Sequence, residues 1–115
     1  MRAIKIDSIS KTVSEVEIDE ENSLAGMQAI VDGLIEQALE LENGDALFVN
    51  EEGLLLGPKW FFEIEGGHQP YAGNGVIVGT NYSTGDSIDA ETPINKIKSM
   101  VKFLSLDEVR RKYRH

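Results

Sequence analysis

Hydrophobic and polar positions alternate in the first eighteen residues in the manner of two short strands. Apolar residues at positions 3, 4 and 6 predict the first strand, and the alternation of Val16 and Ile18 with acidic neighbours predicts the second. The acidic segment 19–22 breaks this pattern and can cap a helix. Apolar residues then recur at steps of three and four: Leu24, Met27, Val31, Leu34 and Ala38. The spacing therefore predicts one main amphipathic helix over about residues 23–38.

The rest of the chain consists of short apolar runs separated by turn residues. Three of these runs are typical of strands: Leu39–Leu41, Ala46–Asn50 and Val76–Val78. Another run, Leu54 to Leu56, is stopped by Gly57 and Pro58. Thr92-Pro93 resembles a cap followed by proline at the first helical position, and residues 106–113 predict a terminal helix. We therefore predict an α+β fold, with a mostly antiparallel sheet, the 23–38 helix on one face and short C-terminal helices.

The composition agrees with a folded domain and excludes several kinds of chemistry. The chain has 115 residues, of which 41% are hydrophobic, and no shift in composition marks an internal boundary. We expect one domain over residues 1–105, with residues 106–115 as a basic helix or tail. The absence of cysteine excludes disulfides, thiolate nucleophiles and zinc sites that use cysteine. No apolar run reaches the length of a signal peptide or membrane span, so we expect a cytoplasmic protein without membrane contact.

Charge is distributed unevenly along the chain. Residues 1–95 contain 18 acids and four bases, whereas residues 96–115 contain two acids and seven bases. Twelve carboxylates and no Lys or Arg lie between Thr12 and Pro58. This acidic part should repel phosphates, so direct binding of nucleic acid is disfavoured. The acids either keep the protein soluble or meet a partner with a basic surface.

The order of the segments resembles a small bacterial, phage and plasmid family, domain of unknown function 3846. The resemblance rests on Met1–Asp7, the glycine-bearing helix after an acidic turn, Val49–Leu54 and Gly73–Gly79, and it covers roughly residues 1–81. The segment from Pro58 to Tyr71 departs from the family pattern. The resemblance implies a mobile-element setting and no established activity.

Six residues are candidates for a binding site. Trp60 and Tyr71 are aromatic residues in or beside a glycine-rich stretch, where a large aromatic side chain often anchors a partner or ligand. The others are polar groups near predicted strand ends or in the same glycine-rich stretch: Asn50, Glu51, His68 and Asn74. Each also has an ordinary interpretation as a turn or core residue. The only other histidine is His115, so no catalytic or metal-ligating set is predicted, and neither is a cofactor.

These observations favour a non-enzymatic accessory module that binds a host or phage protein through its acidic face or its aromatic loop. An acidic mimic of DNA that inhibits a restriction or other defence nuclease is an alternative. A second alternative is a domain that binds or hydrolyses a small ligand around Asn50, Trp60 and Asn74. A homo-oligomer assembled through an exposed strand edge also stays open.

Overall fold

The computed structural model describes residues 1–113 and confirms the α+β class. Its strands are β1 (Arg2–Asp7), β2 (Thr12–Glu17), β3 (Ile35–Glu40), β4 (Ala46–Asn50), β5 (Trp60–Ile64), β6 (Tyr71–Ala72), β7 (Gly75–Thr80), β8 (Ser87–Ile88) and β9 (Val101–Ser105). Its helices are α1 (Ser23–Val31), α2 (Ile94–Met100) and α3 (Leu106–Lys112), with 3-10 helices at Glu20–Asn22 and Gly53–Leu56.

The strands form two antiparallel sheets. The larger sheet has the order β2-β1-β7-β4-β3, and β8 pairs with the end of β7. The smaller sheet has the order β6-β5-β9. The strands β3 and β4 pair as a hairpin, with a shift of register between Gln37 and Leu39. The sequence analysis described a single sheet; the Trp60–Phe62 aromatic run instead lies in the central strand of a second one.

Each face of the larger sheet packs against a different layer. Along β7, Val76 and Val78 pack with Met27 and Val31 of α1, while Ile77 points to the opposite face. There it joins a core that includes Phe62 of the smaller sheet. Successive side chains of a strand point to opposite faces, so Val76, Ile77 and Val78 of β7 are all apolar because they serve both layers. The uninterrupted apolar run is explained by this double burial.

The other face of the smaller sheet is covered by α3. Leu106 and Val109 pack against Phe61, Ala72 and Leu104. The helix begins with a capping box, in which Ser105 and Glu108 each bond the other's backbone N–H. The layers therefore follow one another as α1, the larger sheet, the smaller sheet and α3.

The main helix ends earlier than its hydrophobic spacing predicts. It stops at Val31 because Asp32 adopts a left-handed conformation with φ 62°, and the N–H of Gly33 returns to the carbonyl of Gln28 at 3.0 Å. The segment predicted as its last two turns contributes the edge strand β3 instead. The extension to residue 38 is therefore wrong, since an apolar pattern at steps of three and four continued into a strand.

The predicted cap of α2 is also different. Pro93 itself occupies the cap position, with ψ 141°, and the first helical residue is Ile94. Thr92 is buried, and its hydroxyl donates to the carboxylate of Asp45 at 2.6 Å instead of capping the helix. The side chain is thus used to fasten the loop before α2 to the β3–β4 hairpin.

Candidate functional site

Asn50 and Asn74 come together at the C-terminal end of α1. The amide nitrogen of Asn50 donates to the carbonyls of Val31 and Asp32 at 3.2 and 3.1 Å, and that of Asn74 donates to Ile30 at 3.3 Å. The carbonyls at a helix end lack partners within the helix, and these two amides supply them. A Cβ on Gly33 would lie 2.5 Å from the Asn50 amide, so glycine permits this close approach.

The oxygens of the same two amides hold the neighbouring turns. Asn50 accepts from the N–H of Glu52 at 2.8 Å, and Asn74 accepts from the N–H of Ser8 at 3.1 Å. Both predicted binding residues therefore fix the shape of this end of the molecule. Their hydrogen bonds are made within the protein, so they act here as supports for the surface around them.

The 3-10 helix after β4 exposes three consecutive leucines, and we call residues 53–56 the leucine loop. Leu54, Leu55 and Leu56 are 67%, 84% and 62% exposed. Ile9, in the β1–β2 turn, is 72% exposed and lines the same groove as Leu56. Single exposed apolar residues are common on protein surfaces, whereas here three consecutive leucines and a neighbouring isoleucine are exposed together.

A groove lies on each side of the leucine loop. The first, of about 190 Å³, is formed by Leu56 and Pro58 against Ile9, the end of α1 and Asn74. The second, of about 250 Å³, is formed by Leu54 and Leu55 against residues 69–72 and the end of β4. The loop therefore stands as an apolar ridge between two shallow depressions that side chains of a partner can enter.

The walls of these grooves carry acids. Asp32 lines the first groove, and Glu36, Glu51 and Glu52 line the second. Among the described residues that line them there is no Lys, Arg or His. The predicted site residue Glu51 thus lies beside the leucine loop and contributes to the negative charge of the second groove.

The remaining predicted residues are placed differently from one another. Trp60 is 38% exposed, and the amine of Lys11 lies 5.7 Å from its ring centre. Tyr71 is buried and lines the second groove, and its ring packs against that of Phe62 in a tilted arrangement, with the ring centres 5.6 Å apart. His68 is exposed in the loop before β6 and lines neither groove. The structure thus groups Asn50, Glu51, Tyr71 and Asn74 around the leucine loop, whereas Trp60 and His68 line neither groove.

A buried carboxylate that the sequence analysis did not single out lies at the opposite end of the β3–β4 hairpin. Asp45 is 2% exposed and accepts from the N–H groups of Glu91 and Thr92 at 3.0 and 2.9 Å. Asn43 donates to the Thr92 hydroxyl at 2.9 Å, which completes the network. The only sequence signal was an Asp at the end of a polar turn directly before a strand, a position that usually indicates an exposed turn residue.

Some of the twelve carboxylates between Thr12 and Pro58 are used within the fold. Asp45 holds the loop before α2, and Glu15 makes an ion pair of 2.7 Å with Arg2. Arg2 also donates to the carbonyls of Ala90 and Thr92. Hydrogen bonds therefore use the carboxylate of Asp45 within the fold, and Arg2 offsets the charge of Glu15.

The basic segment at the end of the chain is attached to the smaller sheet. Lys112 donates to Glu63 of β5 at 2.8 Å, and the hydroxyl of Tyr113 donates to the same carboxylate. Residues 114–115 of the predicted tail lie outside the described residues. The domain boundary at residue 105 stays a prediction.

This attachment should depend on pH at both ends of the scale. Burial opposes ionisation of Glu63, but the hydrogen bonds from Lys112 and Tyr113 outweigh it and lower the Glu63 pKa below its ordinary value of 4.5. The hydrogen bond to Glu63 raises the pKa of Tyr113 to about 12. The contribution of Glu63 to stability is therefore lost as pH falls below its ordinary pKa, and that of Tyr113 as pH rises from about 10 through 12.

The prediction can be checked by measuring the free energy of unfolding against pH. Tyr113→Phe should remove the alkaline loss and leave part of the acidic one, whereas Glu63→Gln should remove both. Parallel pH profiles for the wild type and both variants would contradict the coupling of α3 to β5 through this carboxylate.

Two features, a metal-binding cluster and a membrane-spanning helix, are not found in the described part of the chain. Among residues 1–113 no group of three or more His, Asp or Glu side chains is placed to hold a metal ion. No helix within those residues is long and apolar enough to cross a membrane.

Two antiparallel sheets, α1 on one side and α3 on the other define an α+β domain with an acidic, leucine-bearing surface. The chain belongs to the family described as a domain of unknown function, DUF3846, whose model matches residues 1–102. This match confirms the resemblance and extends it from residue 81 to residue 102. The matched range also includes the segment from Pro58 to Tyr71, which was expected to depart from the family pattern. No curated protein and no solved structure matches the chain.

Proposed function

We propose that the chain is a non-enzymatic accessory module that binds a protein through the leucine loop. The partner is a host or phage protein whose contact surface combines apolar side chains with Lys or Arg. We also propose the phage or plasmid setting that the family resemblance implies, and, separately from it, a cytoplasmic location. The observation that carries the proposal is the exposure of three consecutive leucines on a supported loop between two grooves.

Support comes first from the rigidity of the surface. The amides of Asn50 and Asn74 both hold the end of α1. Asn50 also holds the turn before the leucine loop at Glu52, and Asn74 holds the β1–β2 turn at Ser8. A surface that is ordered before binding loses less conformational entropy when the partner arrives. Leucines held in this way can enter partner pockets without first ordering the loop.

Support comes secondly from charge. The four carboxylates beside the grooves and the net charge of −9 favour approach of a basic surface and disfavour an acidic one. Because the apolar and acidic groups lie side by side, the partner should present a hydrophobic centre with basic residues at its edge. This arrangement would combine a desolvated apolar contact with electrostatic selection.

The test uses a partner captured by the wild-type protein, which is then purified so that dissociation constants can be measured. The variant L54S/L55S/L56S should raise the dissociation constant by a factor of about ten or more, because central apolar contacts dominate binding energy. Leu24→Ser is the matched control, since Leu24 is 54% exposed and lies at the start of α1.

Charge is tested separately. E51K/E52K should weaken binding and reduce its dependence on salt, whereas E20K/E21K, with the same change of charge at the other end of α1, should not. Equal loss in both charge variants together with no loss in the leucine variant would contradict the proposal and favour a general acidic face. A concentration-dependent dimer of the wild type that the leucine variant abolishes would also contradict it, because the loop would then bind a second copy.

A further inference from the structure

A cavity lies away from the leucine loop, and we call it the acidic pocket. It has a volume of about 590 Å³ and is bounded by the end of the β3–β4 hairpin, the loop after β5 and α2. Its apolar lining comes from Leu39, Leu41 and Met100. This volume is within the range of pockets that hold small organic ligands, about 300–1,000 Å³.

The charged lining of the acidic pocket is unbalanced. Glu40, Glu42 and Glu65 contribute three carboxylates, and Lys96 contributes the one amine among the described lining residues. Glu42 and Glu65 are exposed, so they form a rim in contact with water above the apolar side chains. A ligand that fits this arrangement has an apolar body and a positive end.

Hydrogen bonds hold three walls of the acidic pocket in place. The hydroxyl of Tyr82 donates to Glu40, and Asn43 donates to Thr92 at 2.9 Å across the hairpin and the loop before α2. The N–H of Glu65 donates to the carbonyl of Met100 at 3.0 Å. The pocket is therefore formed before any ligand enters, which lowers the entropy cost of binding.

We infer that the acidic pocket binds a small organic cation with an apolar body, such as an alkyl or aryl ammonium compound. The apolar part would lie on Leu39, Leu41 and Met100, and the ammonium group would lie between the rim carboxylates. The three carboxylates would disfavour a carboxylate in the same position, and their excess over the single amine of Lys96 favours the cation. This site is independent of the leucine loop, and either proposal can fail without the other.

The experiment compares three soluble probes that share a phenyl ring and differ in charge: phenethylammonium, phenethyl alcohol and hydrocinnamate. Each is titrated into isotopically labelled full-length protein, and amide chemical shifts are followed. Phenethylammonium should shift the amides of Leu41, Gly66 and Met100. Its affinity should exceed that of the alcohol about fivefold to tenfold, as expected for a charge between partly exposed carboxylates.

The variant E42Q/E65Q should reduce phenethylammonium binding about fivefold to tenfold and leave the weaker binding of the alcohol unchanged. E20Q/E21Q is the matched control, because it removes the same charge from exposed residues outside the pocket. Raised salt should weaken the cation more than the alcohol.

Three outcomes would overturn the inference. Equal affinity for the cation and the alcohol would mean that the rim does not select charge. Preference for hydrocinnamate would mean that Lys96 dominates the pocket. The absence of shifts at the pocket amides up to about 10 mM probe, well above the affinity expected for a ligand of this size, would mean that the cavity takes no such ligand.

Discussion

Asp45→Ala should lower the free energy of unfolding by about 3 kcal/mol or more. The substitution removes a buried carboxylate that accepts the N–H groups of Glu91 and Thr92 and the hydroxyl of Thr92. These donors would be left without partners in a place that water reaches poorly. The loss exceeds that of an ordinary surface substitution because unsatisfied buried donors retain their full desolvation cost.

The measurement is denaturant unfolding of the wild type, Asp45→Ala and Asp86→Ala. Asp86 is exposed, so its substitution should change the free energy of unfolding by no more than about 0.5 kcal/mol. If the two variants differ by less than about 1 kcal/mol, the network around Asp45 does not hold the loop before α2 as the hydrogen bonds indicate.

Phe62→Ala should have a similarly large effect, a loss of about 3–5 kcal/mol. The ring is fully buried and belongs to the smaller sheet, yet it packs in the same core as Ile4, Leu47 and Ile77 of the larger sheet. Its removal would leave a cavity at the junction of the two sheets. Phe62→Leu keeps most of the volume and should lose clearly less.

Both variants can be followed by thermal and denaturant unfolding. A loss below about 1 kcal/mol for Phe62→Ala would mean that the sheets do not depend on a shared core. Separate unfolding transitions in the wild type would lead to the same conclusion.

The strands with a clear period could be predicted from the sequence. The alternation that ends in Val16 and Ile18 correctly predicted β2, which ends at Glu17, because an alternating pattern matches a strand buried on one face. The uninterrupted run at Val76–Val78 correctly predicted β7, because such a run matches a strand buried on both faces. The end of α1 could not be predicted in this way, because the helical spacing continues by coincidence through Leu34 into β3. The sequence feature that indicates the true end of the helix is local. Asp32 is a residue type that tolerates the left-handed conformation, and Gly33 after it leaves room for the Asn50 amide.

The candidate site was predictable only in part. The pattern drew attention to Asn50 and Asn74, but only the three-dimensional structure brings both amides to the end of one helix. In the sequence, the three leucines form only a short apolar run. Their exposure could not be predicted, because it depends on which parts of the folded chain pack over them. The sequence indicated Asp45 only as a turn residue, since the partners of its carboxylate lie more than forty residues away along the chain.

The central claim is that the leucine loop contacts a protein partner. The most direct measurement replaces Leu55, and separately Leu24, with p-benzoylphenylalanine and illuminates host cells that express the chain. We expect one discrete crosslinked partner at position 55, reduced by E51K/E52K, and no such product at position 24. The absence of a product at position 55, or the same product at both positions, would contradict the claim.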